Sequence, residues 1–485
     1  MTGSAPRKNA PPCTIVWFRQ DLRTDDNPAL AAACEAGAIV PVYIWSPEEE
    51  GGWAPGGASR VWLHASLAEL DKSMARLGAP LVFRRGPSLE VLRALIAETG
   101  ARAVVWNRRY EPAAVIRDIA IKSHLKAEGI EVRSFNGSLL FEPWEIANRE
   151  GKPYQVFTPF WNTCLARPEP APPLAAPSHS VESTWRIDSL SLGELELMPR
   201  IPWEIGIRSA WTPGEAGARK NLERFIEESM SGYSESRDIP GTRGTSRLSP
   251  HLHFGEISPR RIWHCIIEQL DGELGVGAET FLKELGWREF AHHVLHHFPR
   301  VPEQPLRVEF EQFPWNVDSK ALRLWQRGQT GYPIVDAGMR ELWQTGWMHN
   351  RVRMIVSSFL TKHLRISWLD GARWFWDTLV DADLANNSLG WQWSAGCGAD
   401  AAPYFRVFNP MLQGAKFDPK GEYARRWVPE LAQLPDKWIH RPWEAPSQVV
   451  AGAGITLGAN YPQPIVDHRV ARESALRAFA EFRGS

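Results

Sequence analysis

Residues 14–45 read TIVWFRQDLRTDDNPALAAACEAGAIVPVYIW and decide the class of fold at this end of the chain. Thr14–Phe18 is short and rich in β-branched residues, which favours a strand. Asn27 is a candidate N-cap and Pro28 suits the first helical position, so a helix is predicted over the alanine-rich run that follows. Ile39–Trp45 predicts a second strand. A strand, a helix and another strand in this order are typical of a parallel sheet.

The same alternation continues to residue 140. Ser59–Leu77 carries apolar residues at helical spacing, and short strands are predicted at Leu81–Phe83, Ala103–Trp106 and Val132–Phe135. Alternating strands and helices predict an α/β domain over residues 13–140. Its core is expected to be a doubly wound parallel sheet with helices on both faces.

The rest of the chain has a different pattern. Residues 168–177, PEPAPPLAAP, are a proline-rich connector, and residues 151–213 show no sustained period. Residues 141–213 are therefore predicted to be a long interdomain linker on the surface. Over residues 214–485 strand signals nearly vanish, which predicts an all-α domain with one helix over Leu342–Lys362.

Composition limits the class of protein. The formal net charge is −1, so any nucleic-acid site must be a local basic patch. The five cysteines are isolated, which gives neither a disulfide framework nor a zinc or iron–sulfur signature. No apolar run approaches the ~20 residues of a membrane span. The isolated cysteines fit a reducing cytoplasm, which is the expected location. The first twelve residues lack the apolar core of a secretory signal and are predicted to be a disordered tail.

The chain holds 24 tryptophans in 485 residues, and seven of them crowd into residues 343–393 among asparagine, arginine and aspartate side chains. An indole can stack on a flat ring and can be oxidised by one electron. Such a cluster beside polar groups indicates redox chemistry on a planar, charged cofactor. The alternative is the aromatic core of a large helical domain, which requires no cofactor.

A phosphate site is predicted between Gly241 and Ser249, where the sequence is GTRGTSRLS. Backbone N–H groups at a helix start suit a phosphate or pyrophosphate, and Arg243 and Arg247 add positive charge. The alternative is a capped loop without a ligand. Ser258-Pro259, a few residues on, is interpreted as an ordinary helix start.

Asn350, Arg353 and Met354 lie at i, i+3 and i+4 of the predicted helix and share one face. An amide, a guanidinium and a thioether together suit neither a packed core nor a solvated surface, so a ligand-facing wall is the better interpretation. Asp381 and Asp383 follow in a loop and are expected to pair with Arg353, which favours negative charge on a ring beside it. A purely structural ion pair is the alternative.

A second ligand-facing surface is predicted where Glu284, Trp287 and Arg288 share one helical face, which places an acid, a stacking ring and a cation together. Four histidines follow on the same run: His292, His293, His296 and His297. The pairs at i and i+4 have the spacing of metal ligands, but the sequence has no acidic third ligand at the usual distance from them. We therefore expect a chargeable, surface-facing helix and no metal.

Several long motifs resemble the photolyase/cryptochrome family. They are VWFRQDLRTDDNPAL at 16–30, WMHNRVRM at 347–354, DADLANNSLGWQW at 381–393 and DAAPYFRVFNP at 400–410, and the resemblance covers roughly residues 14–445. It implies an antenna-binding α/β domain and a helical domain that holds FAD. Residues 44–63 are similar to plant cryptochromes and to their bacterial relatives, the class III photolyases of cyclobutane pyrimidine dimers.

The resemblance implies the residues of a flavin site. Asn387 matches the residue that faces the flavin N5 atom, and asparagine there resembles photolyases, since plant cryptochromes tend to carry aspartate. Trp391, Trp368 and Trp315 match a chain of three tryptophans between flavin and surface. The positions implied to bind the flavin are Tyr233, Thr245, Ser246, Arg247, Leu248, Ser249, Phe281, Glu284, Arg288, Asn350, Arg353, Asp381, Asp383 and Asn387.

The resemblance also implies a DNA lesion as substrate. The positions implied to contact it are Arg237, Glu284, Trp287, Asn350, Met354, Trp393 and Gln413. Met354 stands near the position where (6-4) photolyases carry a histidine, which favours cyclobutane dimers. The expected activity is light-driven repair of these dimers by electron transfer from reduced FAD to the flipped-out lesion. Glu284, Asn387 and the three tryptophans are expected to carry catalysis, in a monomer that binds damaged DNA.

Two other functions remain open from the sequence. One is a cryptochrome-like blue-light photoreceptor without repair activity, and the other is a flavin electron-transfer protein in which light has no role. The antenna chromophore is expected to be methenyltetrahydrofolate, with 8-hydroxy-deazaflavin or FMN as alternatives. Tyr110–Ala114 lacks the Asn-Glu pair of folate-binding class I relatives, so a different mode of binding is expected.

Overall fold

The computed structural model describes residues 13–178, 187–270 and 274–484. The predicted disordered tail at residues 1–12 lies outside the described residues. None of the helices in the described part combines the length and the apolar character that a membrane crossing requires.

A five-stranded parallel sheet forms the centre of the N-terminal domain, as predicted. Its strands are β1 (Cys13–Phe18), β2 (Ala38–Trp45), β3 (Val82–Arg85), β4 (Ala103–Asn107) and β5 (Glu131–Phe135), in the order β3-β2-β1-β4-β5. Central Ile15 lies opposite Val40 of β2 and Val104 of β4. The connecting helices are α1 (Pro28–Ala36), α2 (Gly57–Arg76), α3 (Ser88–Thr99) and α4 (Pro112–Ala127).

The local sequence explains the first strand and helix. Successive strand side chains point to opposite faces, so Ile15 and Trp17 enter one hydrophobic core while Val16 and Phe18 enter the other. Burial on both faces is what a doubly wound sheet requires. The side chain of Asn27 accepts from the backbone N–H of Leu30 at 3.1 Å, which confirms the predicted N-cap.

The rest of the chain is helical. Its described part contains two isolated β-bridges and no further strand. The helices are α5 (Phe157–Leu165), α6 (Ile205–Ala210), α7 (Glu215–Glu228), α8 (Tyr233–Ser236), α9 (Ser249–His253), α10 (Pro259–Gln269), α11 (Val276–His297), α12 (Ser319–Gln326), α13 (Pro333–Thr345), α14 (Asn350–Ser358), α15 (Trp368–Thr378), α16 (Leu384–Ala395), α17 (Pro410–Phe417), α18 (Glu422–Trp427), α19 (Ser447–Gly452) and α20 (His468–Gly484).

The interpretation of residues 141–213 as a surface linker is wrong for α5. This helix buries Phe157, Phe160 and Trp161 in the hydrophobic cluster of α11. Gly286 of α11 allows the close approach, because a Cβ there would lie 2.6 Å from the Trp161 ring. Residues 168–178 do lack regular structure, as predicted. The domain boundaries at 140 and 214 stay predictions.

The single helix predicted over Leu342–Lys362 is also wrong. Gly346, with φ of 68°, ends α13 in the left-handed conformation. The side chain of His349 then accepts from the N–H of Arg351 and begins α14. Asn350 is thereby the first residue of a new helix rather than an interior one.

Buried hydrogen bonds join the two halves of the molecule. Arg23 donates to the carbonyl of Gly255 at 2.8 Å, and Arg260 pairs with Asp26 at 2.7 Å. Trp62 of α2 donates to Glu256 at 2.9 Å. These contacts fix the N-terminal domain against the start of the helical domain.

Candidate active site

Helix α16 is the centre of the site because α11, α14 and α15 all pack against it. Asp383 caps its N-terminus by accepting from the backbone N–H of Asn386 at 2.8 Å. One turn on, buried Asn387 donates from Nδ2 to the carbonyl of Ala372 at 3.0 Å. This bond fixes the orientation of the amide and leaves its oxygen for another donor.

Arg353 pairs with Asp381 as predicted. Its Nη2 lies 2.7 and 3.0 Å from the two carboxylate oxygens, and its Nε donates to the carbonyl of Met348 at 2.8 Å. The expectation that Asp383 shares this guanidinium is wrong. Asp383 instead lies 3.5 Å from Nε2 of His292 and 4.0 Å from Nδ1 of His253.

His292 lies between two acceptors. Its Nδ1 faces the carbonyl of Arg288 at 3.0 Å and its Nε2 faces the carboxylate of Asp383 at 3.5 Å, an arrangement that favours the protonated ring. Burial alone would lower the pKa of His292, but the Asp383 charge raises it above its ordinary value. Burial likewise opposes ionisation of Asp383, yet the charge of His292 and bonds from His253 and His292 hold its pKa well below the usual range.

The expectation of a surface-facing histidine helix is therefore wrong for its first two members. His292 and His293 are both buried, and His293 accepts from the N–H of Tyr154 at 2.9 Å. The sequence had no signal for this because the partners lie far away along the chain. Among the described residues, no group of three or more metal-ligating side chains forms a metal site.

The three tryptophans of the predicted electron chain are increasingly exposed. Trp391 is 2% exposed, Trp368 is 4% exposed, and Trp315 is half-buried. The segment after Trp315 is tied to the segment before Trp368, since the N–H of Asn316 donates to the carbonyl of Arg365 at 2.6 Å. This order of burial suits a path from the interior to the surface.

Four residues expected around the flavin and lesion lie together on α8, at the residue that follows it, and on α11. Arg237 pairs with Glu284 at 2.6 Å and lies over the ring of Tyr233 at 5.6 Å. The rings of Tyr233 and Phe281 meet edge to face at 5.5 Å. Burial raises the pKa of Glu284, and the Arg237 charge offsets part of this rise. The paired carboxylate is thus desolvated and available to a hydrogen-bond donor.

Trp287 is held by a residue that the sequence analysis did not identify. Phe157 of α5 stacks on it with ring centroids 3.8 Å apart and an angle of 9°. The apolar spacing of residues 157, 160, 161 and 164 was the available signal. Stacking on Phe157 fixes the plane that Trp287 offers to a flat substrate.

The remaining residues expected at the lesion site are accessible. Met354, Trp393 and Gln413 are half-buried, and Asn350 is exposed. Arg351, which the sequence analysis missed, pairs with Asp238 at 2.8 Å and lies 3.7 Å from the Met354 sulfur. Accessible side chains of this kind can meet a large substrate that approaches from outside.

Arg288 lies against the segment that links the two halves. It donates to the carbonyl of Ser138 at 2.7 Å and lies 3.6 Å from Glu289. Glu289 in turn accepts from the N–H of Leu140 at 2.9 Å. A role of Arg288 at the flavin stays a prediction from the resemblance.

The loop before α9 has free hydrogen-bond donors. Within the described structure, the backbone N–H groups of Thr245, Ser246 and Arg247 have no protein acceptor. Ser249 begins α9 and receives a bond from Nε1 of Trp347 at 3.2 Å. Free donors followed by a helix start fit the pyrophosphate of a dinucleotide, so this donor set is suited to the phosphate end of FAD.

A cavity lies at the carboxyl ends of β1, β2 and β4. The sheet order reverses between β1 and β4, which is where ligands bind in doubly wound sheets. Its lining includes aromatic rings from both halves of the molecule. Buried donors around it lack hydrogen-bond partners in the described structure: Trp17 Nε1, Arg19 Nε and Trp53 Nε1. The cavity therefore suits a flat ligand rich in acceptors.

Comparisons with known proteins agree with this architecture. Residues 14–178 match the family described as DNA photolyase, and residues 281–481 match the FAD binding domain of DNA photolyase. The deoxyribodipyrimidine photo-lyase of Agrobacterium fabrum is 50% identical over 98% of this chain and 99% of its own. Cryptochrome-1 of Arabidopsis thaliana is 44% identical over 96% of this chain and 70% of its own. A bacterial class III photolyase from Agrobacterium tumefaciens superposes with a TM-score of 0.95 at 49% identity, covering 99% of each chain.

Proposed function

The chain belongs to the DNA photolyase family, and we propose that it repairs cyclobutane pyrimidine dimers in DNA by light-driven electron transfer from reduced FAD to the flipped-out lesion. The observation that carries this proposal is the arrangement of three side chains on α16. Buried Asn387 and Trp391 lie one turn apart on this helix, and half-buried Trp393 lies two residues further on. In this proposal one helix carries the amide that faces the flavin, the electron donor and the ring that faces the lesion.

A bound flavin would supply the chemistry, by giving one electron to the dimer and taking it back. The protein must bring the lesion out of the base stack, as photolyases and other enzymes that act on a base within a duplex do. Trp287 and Trp393 offer rings on which the dimer can stack, each worth about 1–3 kcal/mol by analogy with single-stranded nucleic acid. Arg237 and Arg351 can reach backbone phosphates, so binding should weaken as salt rises.

Glu284 is proposed to hydrogen-bond the base edges of the lesion. Its carboxylate is already paired with Arg237, and burial has removed much of its water. A base imide N–H that replaces the remaining water meets a preorganised acceptor, so little rearrangement is needed. Arg353 with Asp381, and His292 with Asp383, hold the N-terminal end of α16 and the residues just before it.

The alternative is a cryptochrome-like photoreceptor without repair activity. The 44% identity to Cryptochrome-1 of Arabidopsis thaliana supports this alternative. Two residues favour repair. Asn387 stands where plant cryptochromes tend to carry aspartate, and Met354 is accessible beside the Arg351–Asp238 ion pair.

We expect the purified protein, with reduced flavin and blue light, to repair an oligonucleotide with one cyclobutane dimer and to leave a (6-4) product unchanged. Dimer splitting needs only one electron and its return, whereas reversal of a (6-4) product also needs a positioned proton donor. His292 is committed to Asp383 and Arg288 and is not free to serve. Chromatography of the two products after illumination measures both reactions. Repair of the (6-4) product would contradict the substrate assignment, and repair of neither would favour the photoreceptor.

We further propose an antenna chromophore, methenyltetrahydrofolate. The cavity at the carboxyl edge of the sheet is the first candidate site, because it combines unpaired donors with aromatic walls. A second site has its own supporting observation. Trp343 and Trp374 are parallel within 5° with centroids 6.1 Å apart, and Trp343 is 56% exposed. Deazaflavin or FMN are the other chromophores to test.

Two single substitutions separate these sites. Trp53→Phe keeps the cavity wall aromatic but removes an unpaired N–H, so folate affinity should fall about two- to tenfold if the cavity is the site. Trp343→Ala removes an exposed ring and should leave folate affinity unchanged in that case. Titration of the near-ultraviolet folate band against each variant measures the effect. A loss of folate affinity in Trp343→Ala with no change in Trp53→Phe would assign the chromophore to the Trp343–Trp374 pair instead.

The partner, the oligomeric state and the location are proposed together with the repair activity. Damaged DNA is the proposed partner, and the protein is proposed to act on it as a monomer in the cytoplasm. Sedimentation with and without a dimer-containing oligonucleotide tests the stoichiometry.

A further inference from the structure

Glu341 is a buried carboxylate directly behind the loop at 245–249. It lies on α13 and is 3% exposed. One carboxylate oxygen accepts from the hydroxyl of Tyr423 at 2.6 Å and from the N–H of His349 at 3.4 Å. The other lies 4.0 Å from Nη2 of Arg247. The carboxylate is therefore well positioned but only loosely paired with a cation.

Arg247 is held in an unusual conformation beside it. Its φ is 55°, in the left-handed region that residues other than glycine rarely adopt. Its guanidinium lies 4.6 Å from the ring of Trp347 and 5.3 Å from the ring of Trp211. Such strain persists only where the surroundings fix it, and it is concentrated at functional sites. The surroundings here fix a cation at the loop that has free backbone donors.

The field around Arg247 is strongly positive. Burial lowers its pKa, and the charges of Arg243, Arg426 and Arg224 lower it further, while the Glu341 charge raises it. Arg224 also donates to the carbonyl of Thr245 at 3.3 Å. Glu341 is the carboxylate that counteracts the other three arginines at Arg247.

We propose that Glu341 regulates how tightly the phosphate end of the flavin site binds its cofactor. When ionised, Glu341 pairs with Arg247 and repels a phosphate-bearing cofactor in the loop. When protonated, it leaves the positive field of Arg247 to that cofactor. This inference rests on the proposed flavin site, and it adds a residue that does not itself contact the flavin.

The direction of the pH effect follows from the groups that face Glu341. Burial raises its pKa to about 7, although Tyr423, Arg247, His349 and Arg353 each act to lower it. Burial lowers the pKa of His349 to about 4 and raises that of Tyr423 well above its ordinary value. Near pH 7 only Glu341 in this group changes charge. A pyrophosphate diester stays doubly negative over this range, so its binding must be coupled to proton uptake by Glu341.

The test uses the flavin-loaded full chain and measures FAD affinity by the fluorescence of flavin released on dilution, between pH 6 and pH 8. The wild-type Kd should be about two- to fivefold weaker at pH 8 than at pH 6, which corresponds to a rise in the Glu341 pKa from about 7 by about half a unit to one unit on binding. Glu341→Gln keeps an acceptor for Tyr423 and removes the charge. Its Kd should be independent of pH and equal to the wild-type value at pH 6.

Asp336 on the same helix provides a matched control, since it is buried and accepts from the hydroxyl of Tyr461 at 2.9 Å. Tyr423→Phe removes a donor from Glu341 and should move the midpoint of the pH dependence upward, whereas Tyr461→Phe should not. A wild-type Kd without pH dependence, or a Glu341→Gln variant as pH-dependent as wild type, would overturn the inference. Should Glu341→Gln not fold, an unmoved midpoint in Tyr423→Phe overturns it equally. A wild type that binds no FAD would instead overturn the flavin site.

Discussion

Replacing Trp391 by Phe should slow photoreduction of the flavin by external donors about tenfold or more, the effect of a barrier raised by about 1.4 kcal/mol. Trp391 lies one turn after Asn387 on α16 and is the most buried member of the predicted chain of three tryptophans. Phe fills most of the same space but is much harder to oxidise. Absorbance at the flavin band under blue light with a thiol donor measures the rate.

The control for this variant is Trp325, a neighbouring tryptophan that is not one of the three in the predicted electron-transfer chain. Trp325 is fully buried and meets Trp391 edge to face at 6.1 Å, so Trp325→Phe should perturb packing equally and leave photoreduction intact. Repair by chemically pre-reduced Trp391→Phe should persist, because the chain only supplies electrons to oxidised flavin. Photoreduction at the wild-type rate would show that the chain is misassigned or that another tryptophan, such as Trp376, replaces Trp391.

A glycine gives a second way to disturb the same step. A Cβ on Gly371 of α15 would lie 2.1 Å from the Trp391 ring, so the ring can hold its place only because this position lacks a side chain. The packing of α15 on α16 thus positions the electron donor. A substitution at Gly371 would change photoreduction without changing the chemistry of the indole.

The α/β half of the fold was predictable because its signals are local. Asn27 and Pro28 mark a helix start within three residues, and the alternation that indicates a strand can be recognised over only a few more residues. Helix α5 was missed for the opposite reason. Phe157, Phe160 and Trp161 stand close to Pro159 and shortly before the proline-rich segment at 168–177, so their apolar spacing is a weak local signal, and the helix is held by its packing on α11.

The break between α13 and α14 shows a second limit of sequence patterns. A single glycine within a helical pattern is usually tolerated. Gly346 ends the helix in the left-handed conformation, and Val380 would lie 2.6 Å from a Cβ at that position, so no larger residue fits there. The contact joins residues that lie over thirty positions apart, so no local pattern could reveal it.

Site residues could be predicted from the sequence where they fall within continuous family motifs. They could not be predicted where the residues that contact them lie far away along the chain. Arg353 and Asp381 were expected to pair, and they do. Neither the partner of His292 nor the position of Glu341 has any signal in the sequence. Glu341 follows Arg340 and precedes Leu342 like an ordinary helical glutamate, and its role arises only where α18 and the loop at 245–249 meet α13.

Glu284→Ala should lower repair about tenfold or more while flavin content stays near wild type. A hydrogen bond to a charged group contributes about 1.5–3 kcal/mol, so its loss to the lesion alone reaches that size. Glu284 lies one turn before Trp287 on α11, where it can reach a base whose ring stacks on the indole. Flavin absorbance of the purified variant, compared with repair of a dimer-containing oligonucleotide, separates the two effects.

The ion pair with Arg237 supplies the control that this prediction needs. Glu284→Ala leaves the guanidinium of Arg237 without its partner at 2.6 Å, so part of the loss could come from a disturbed α8. Arg237→Gln breaks the same pair and keeps the carboxylate, so it should weaken DNA binding yet retain more of the repair yield per bound lesion. Equal loss of flavin and repair in Glu284→Ala would assign the residue to folding or cofactor retention. Equal yields per bound lesion in the two variants would mean that the pair, and not the carboxylate, serves the reaction.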